Sequence, residues 1–210
     1  MAHDHGLHVR VESPQDAHRV VALSGISSAH ACYEVFLLEF SSELRELRSI
    51  DVDFGRLPDG VAKHDHFATC LRNAQLLSKS PEFAVLDLLV ELVRLTRNEQ
   101  AHKGRALPKR FSEILTRLAN CSNWDTVFEG RCRPSPFADL GYDDFLLFTH
   151  AVRRMAEFWC KLLLPSPQDI ALHSDIRAFI AEQGSQKLPQ FLRDRFALDP
   201  SSAEDVCSRL

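Results

Sequence analysis

The chain has 210 residues, 45% of them hydrophobic and 26% charged, with a formal net charge of -4 at pH 7. That length supports one domain of somewhat above typical size and a core that needs no disulfide or metal staple. The composition excludes a disordered chain, the charge excludes a cationic coat for nucleic acid, and no apolar run approaches the roughly 20 residues of a membrane-spanning helix.

Glycine is limited to 8 and Tyr to 2, whereas Leu, Ala, Glu and Arg are abundant and strand formers are thin apart from 14 Phe. The expected fold class is all-α. None of the six cysteines falls in a C-x-x-C pair, and the N-terminus lacks the apolar stretch of a secretory signal. Together these predict a reducing, cytoplasmic setting, thiols buried as small hydrophobes, and no membrane partner.

In chain order, residues 1–13 read as a flexible leader; its His3, His5 and His8 are assigned no metal site. Ser13-Pro14 then looks like a cap followed by Pro at the first helical position, opening a helix to about Ser49 with a break near Gly25. Cys32, Val35, Phe36, Phe40, Leu44 and Leu47 give it an apolar stripe that needs a partner. Residues 49–62 carry Gly, Pro and Asp and predict a loop, and a helix follows over 63–80. Ser80-Pro81 starts the most apolar helix, which ends near Gly104. Pro108 opens another, 121–140 is loop, Tyr142 to Leu164 is a long amphipathic helix, and weaker helices cover 168–182 and 189–196. The organisation expected is a four-helix bundle over 14–164, with 165–210 as a helical extension packed on the same domain.

The helix from Pro81 carries the functional argument. On a wheel of 100° per residue, Phe83, Leu86, Val90 and Val93 lie within about 40° of Arg97, and Val85, Leu88, Leu92 and Leu95 lie opposite. Between them runs a polar strip of Asp87, Glu91, Arg94, Asn98 and His102. Asn98 and His102 are four apart and share a face, so the amide can orient the imidazole, while Arg97 can lay its stem on apolar surface and turn its guanidinium to the strip. An imidazole that moves protons beside a cation that grips phosphate is the minimum equipment for metal-free cleavage of a phosphodiester. The bland alternative is that Arg97 and His102 only favour the negative end of their own helix.

The run Arg97-Asn98-Glu99-Gln100-Ala101-His102, followed by Lys103-Gly104, resembles the Arg-polar-x3-His signature of HEPN domains, an all-helical bundle family. The resemblance implies a metal-independent RNA endonuclease that needs no cofactor and works as a homodimer, with the two motifs lining a shared cleft. It implies a toxin-antitoxin, antiviral or RNA-processing setting, and with it an inhibitory partner protein. Arg97 would contact the scissile phosphate, His102 would move protons and Asn98 would position the site. The ribose 2′-hydroxyl would be the nucleophile, so DNA would not be cut. Some members carry a Tyr two residues after the His that an antitoxin modifies; Gly104 stands there in this chain. A non-catalytic module of the same fold, binding nucleotide, RNA or a protein, is the alternative.

From Arg94 to Arg117 seven basic residues face only Glu99 and Glu113, a local balance of +5 in a chain of -4. Arg94, Lys103, Arg105, Lys109 and Arg110 are the candidate RNA contacts. Elsewhere His64-Asp65, with His30 upstream and a later Asp that nothing selects, loosely resembles the metal-dependent HD phosphohydrolases. Exposed His and helix N-terminal charge account for that cluster more simply. His150, Trp124 and Trp159 read as packing residues, and no phosphate loop, G-x-S-x-G or H-E-x-x-H occurs.

Overall fold

A computed structural model describes residues 14–102, 107–196 and 198–210, the side chains of 14, 15, 100–102, 107 and 108 excepted. The described residues are helical with no strand, as the composition predicts. In order the helices are α1 (Pro14–Arg48), α2 (Lys63–Asn73), α3 (Pro81–His102), α4 (Leu107–Ala119), α5 (Trp124–Val127), α6 (Tyr142–Leu162), α7 (Pro167–Ala171), α8 (Ser174–Gln183), α9 (Leu188–Phe196) and α10 (Pro200–Ser208). The chain divides into two compact units. Among the described residues, unit 1 joins 14–34 to those of 79–158 and unit 2 joins 35–78 to those of 159–210, so the helices after Pro165 group with the segment around α2.

α1 runs unbroken through Gly25 for 35 residues, contrary to the break expected there. The glycine serves proximity instead. A Cβ at Gly25 would lie 2.5 Å from the ring of Phe145, so the missing side chain is what lets α6 approach α1. Among the described residues α1 is also one helix long and apolar enough to cross a bilayer by length and composition, contrary to the expectation that no such stretch exists. Length and composition alone do not make a membrane span, so crossing does not follow.

α3 is the core of unit 1. Val85, Leu86, Leu89, Leu92 and Val93 are fully buried, and Phe83, Leu88, Val90 and Leu95 nearly so. Asp87, Glu91, Arg94 and Asn98 remain half-buried, forming the polar strip that the wheel predicts. Ser80 Oγ accepts from the Phe83 amide at 3.3 Å, satisfying one of the donors that a helix start leaves open. α4 packs on α3 through Phe111, Ile114 and Leu118. Trp124, Phe128 and Phe148 fill the same core, and Glu82 holds Arg154 at 2.6 Å.

In unit 2, α2 stops at Asn73 rather than 80: Gln75 turns left-handed (φ 58°), and the amides of Leu76 and Leu77 close back on the Leu71 carbonyl. Trp159 and Phe67 meet edge to face with ring centres 5.2 Å apart. A second apolar cluster gathers Ile170, Ile176, Leu188, Leu192, Ala203 and Val206, with Leu47 of α1 packed against it. The single helix expected over 168–182 is two, α7 and α8, because His173 interrupts it. His173 is 1% exposed, and its Nδ1 accepts from the Asp175 amide at 3.1 Å, capping α8. Its Nε2 lies 3.4 and 3.5 Å from carboxylate oxygens of Glu46 and Glu43 without a hydrogen bond to either. Ser174 donates to Glu46, while Arg195 spans Glu43 at 2.6 Å and Asp175 at 2.9 Å. The last turns of α1 are thereby tied to α8 and α9.

The cysteines are not the buried small hydrophobes that the composition predicts. Cys32, Cys132 and Cys160 are exposed, Cys70, Cys121 and Cys207 are half-buried, and none forms a disulfide.

Candidate functional site

Arg97 and Asn98 lie in the last turns of α3, where the buried face of the helix gives way to solvent. Arg97 is exposed, and its Nη1 donates to Asn98 Oδ1 at 3.1 Å. The amide oxygen of Asn98 thus anchors the guanidinium. His102 is the final residue of α3; its side chain, like all of Lys103 and Arg105, lies outside the described residues. Just before Arg97, Thr96 is fully buried and returns its hydroxyl to the Leu92 carbonyl at 2.9 Å, leaving Arg97 as the side chain at this level that projects to water.

The candidate RNA contacts divide by their neighbours. Arg94 forms a two-pronged ion pair with Glu91, Nε to Oε2 at 2.6 Å and Nη2 to Oε1 at 2.8 Å. Arg110 reaches the same carboxylate at 3.8 Å and Glu113 at 4.0 Å. Lys109 is exposed on α4. Glu91 therefore lies against two of the five cations, and the charge count that began at Arg94 missed it. The i, i+3 spacing of Glu91 and Arg94 is the clue that the sequence offered.

Comparison with protein-family models, curated proteins and solved structures gives no match. The site is accordingly read from its own chemistry.

Unit 1 also holds His150, on which the charges of three arginines act, two of them ion-paired with Glu157 and Glu82. The ring meets Phe128 edge to face at 5.7 Å. Burial, and then the charges of Arg131, Arg154 and Arg153, push its pKa below the ordinary 6.5. An imidazole held neutral among guanidiniums suits packing, the role the sequence suggested for it. Trp124 and Trp159, 1% and 0% exposed, are core residues as expected.

The remaining histidines of interest fall in unit 2. His64 is buried with its ring 6.0 Å from Trp159, and the His66 ring lies tilted against Phe54 with Nε2 3.7 Å from Cys70 Sγ. Burial, and then Asp51, push the Cys70 thiol up, so it stays protonated near neutral pH and is a poor nucleophile despite the neighbouring imidazole.

Proposed function

We propose that this chain is a metal-independent endoribonuclease of the HEPN type that acts as a homodimer, with Arg97 and His102 as catalytic residues and Asn98 as a positioning residue. The observation that carries the reading is the Arg97-Asn98-x3-His102 pattern at the end of α3, with Arg97 exposed and held by Asn98. A guanidinium that enters the reaction already oriented loses less rotamer freedom on meeting a phosphate, and its fork matches two phosphate oxygens. Arg97 stabilises the negative charge that builds on the non-bridging phosphate oxygens as the 2′-hydroxyl attacks. His102 moves the proton, either from that hydroxyl or to the departing 5′-oxygen, and the products end in a 2′,3′-cyclic phosphate and a 5′-hydroxyl.

The test is cleavage of tRNA and mRNA by pure protein in EDTA. His102→Ala and Arg97→Ala are each expected to lower the rate at least about 100-fold, with helix content by circular dichroism unchanged. A substrate carrying a 2′-deoxy sugar at the cleaved position should resist. Equal cleavage by His102→Ala would sink the assignment, and activity that EDTA abolishes would point to metal-dependent chemistry of the HD kind. The ion pairs at Glu91 favour one competing reading, a non-catalytic helical module, because they weaken the pull on an RNA backbone. RNA binding that survives His102→Ala without strand scission would support it.

A further inference from the structure

A cleft of about 490 Å3 opens in unit 1 between residues 131–135 and the first turns of α6. Arg131 and Arg133 lie on one side in sequence, Asp143 and Asp144 on the other, and Leu146 and Leu147 supply apolar surface. The volume lies within the roughly 300–1,000 Å3 typical of small-molecule sites.

Its walls are fixed from behind. Trp124 Nε1 donates to the Arg131 carbonyl at 3.1 Å. The Arg133 guanidinium lies over the Trp124 ring, 5.2 Å from its centre, and donates to the Leu118 and Cys121 carbonyls. Those bonds use two of its five N–H groups. Asp144, 5% exposed, accepts from the Ser135 amide at 2.8 Å and the Gly141 amide at 3.0 Å, clamping the loop to the start of α6. Arg131 and Asp143 are exposed and Leu146 is 41% exposed. A frame already ordered loses little entropy when a ligand arrives.

The charges decide the ligand. Two guanidiniums and two carboxylates sum to zero, so a simple anion meets the aspartates and a simple cation meets the arginines. A molecule carrying both signs meets neither penalty. We propose that this cleft binds a free α-amino acid with an apolar side chain: its carboxylate on Arg131 and Arg133, its ammonium on Asp143, and its side chain on Leu146 and Leu147. Carboxylate and ammonium are one carbon apart, which lets a single small ligand use both signs at once through charge-assisted hydrogen bonds. The inference is independent of the ribonuclease reading.

Calorimetric titration of the full chain with L-leucine tests it, beside 4-methylpentanoate, which has the carboxylate alone, isoamylamine, which has the amine alone, and inorganic phosphate. Leucine should bind saturably at one site per chain, and each singly charged analogue about tenfold or more weaker. Arg131→Gln should weaken leucine and 4-methylpentanoate but not isoamylamine, while Asp143→Asn should do the reverse for the two analogues and also weaken leucine. Both positions are exposed, and each variant is checked for an unchanged melting temperature. No saturable leucine binding up to about 20 mM overturns the proposal. So does leucine binding that both variants leave intact, or phosphate binding tighter than leucine, which would make the cleft an anion site.

Discussion

Glu91 sets how much positive charge the candidate RNA surface presents. It sits three residues before Arg94 and within 4 Å of Arg110, and it holds both without being one of the residues that a search for basic side chains would select. If RNA binds along α3 and α4, Glu91→Gln should strengthen binding and steepen its dependence on salt by about one unit of log-log slope, measured by fluorescence anisotropy over a salt series. His150 gives a test of a different kind. Its folded pKa is depressed, so the unfolded chain takes up the proton first as pH falls. The stability it contributes is complete above about pH 6.5 and is lost as pH drops through the lower, folded value. His150→Gln should therefore lose less melting temperature between about pH 7.5 and pH 5.5 than the parent chain, as followed by circular dichroism. Thiol chemistry follows exposure in the same way: Cys32 and Cys132 should alkylate well before Cys70 and Cys207, whose thiols burial pushes up. The placement of Arg97 and Asn98 at the exposed end of α3 was legible, because it follows from helical periodicity. The state of the cysteines was not, because a composition rule about typical burial says nothing about which face of a helix a given Cys occupies.

Helices were legible where caps and periodicity agreed, and misread where one residue had two uses. Ser80-Pro81 fixed the start of α3, and the apolar spacing after it identified the core helix of unit 1. Gly25 looked like a breaker in sequence because glycine is a poor helix former, yet its role is to make room for Phe145. Gly25→Ala should cost about 1–3 kcal/mol by forcing that ring aside, despite the better helix propensity of alanine, and chemical denaturation would measure the loss. His173 deceived in the opposite sense, as a polar residue inside an apparent helix that in fact ends one and caps the next. An Asn at this position places an acceptor where Nδ1 stands, and a Gln places a donor where Nε2 stands. His173→Asn is thus expected to keep α8 capped and lose the polar group beside Glu43 and Glu46, with His173→Gln showing the reverse. Amide exchange at Asp175 separates the two outcomes, since only the variant without the cap exposes that amide. α10 went unread although Asp199-Pro200 starts it with the same logic as Ser80-Pro81: Asp199 accepts from the Ser202 amide at 3.0 Å.

At the scale of the whole chain, all-helical composition carried over to structure, whereas organisation along the sequence did not translate into organisation in space. Proline at 165 looks like a boundary, yet the helices after it share a unit with residues 35–78. Sequence cannot display such grouping, because the contacts that create it join Leu47 to the apolar cluster of residues 170–206, and Arg195 to Glu43, across more than a hundred residues. A chain cut after residue 164 would therefore not be a trimmed bundle. It would leave Leu47, Glu43 and Glu46 without the helices they meet, and we expect it to be poorly soluble and to lose helix beyond the deleted segment, as judged from circular dichroism per residue.

The long first helix has a practical consequence for all these stability measurements. Only 28% of its most apolar stretch is buried, and Val20, Val21, Val35 and Leu38 are each at least 40% exposed on it. A native surface of that kind binds environment-sensitive fluorescent dyes before any unfolding takes place. Melting curves read through such a dye would start bright and rise little, hiding a cooperative transition that circular dichroism would record. Replacing Val21 and Val35 with Ser should darken the native baseline and leave the dichroism midpoint where it was, making the double variant the better background for screening.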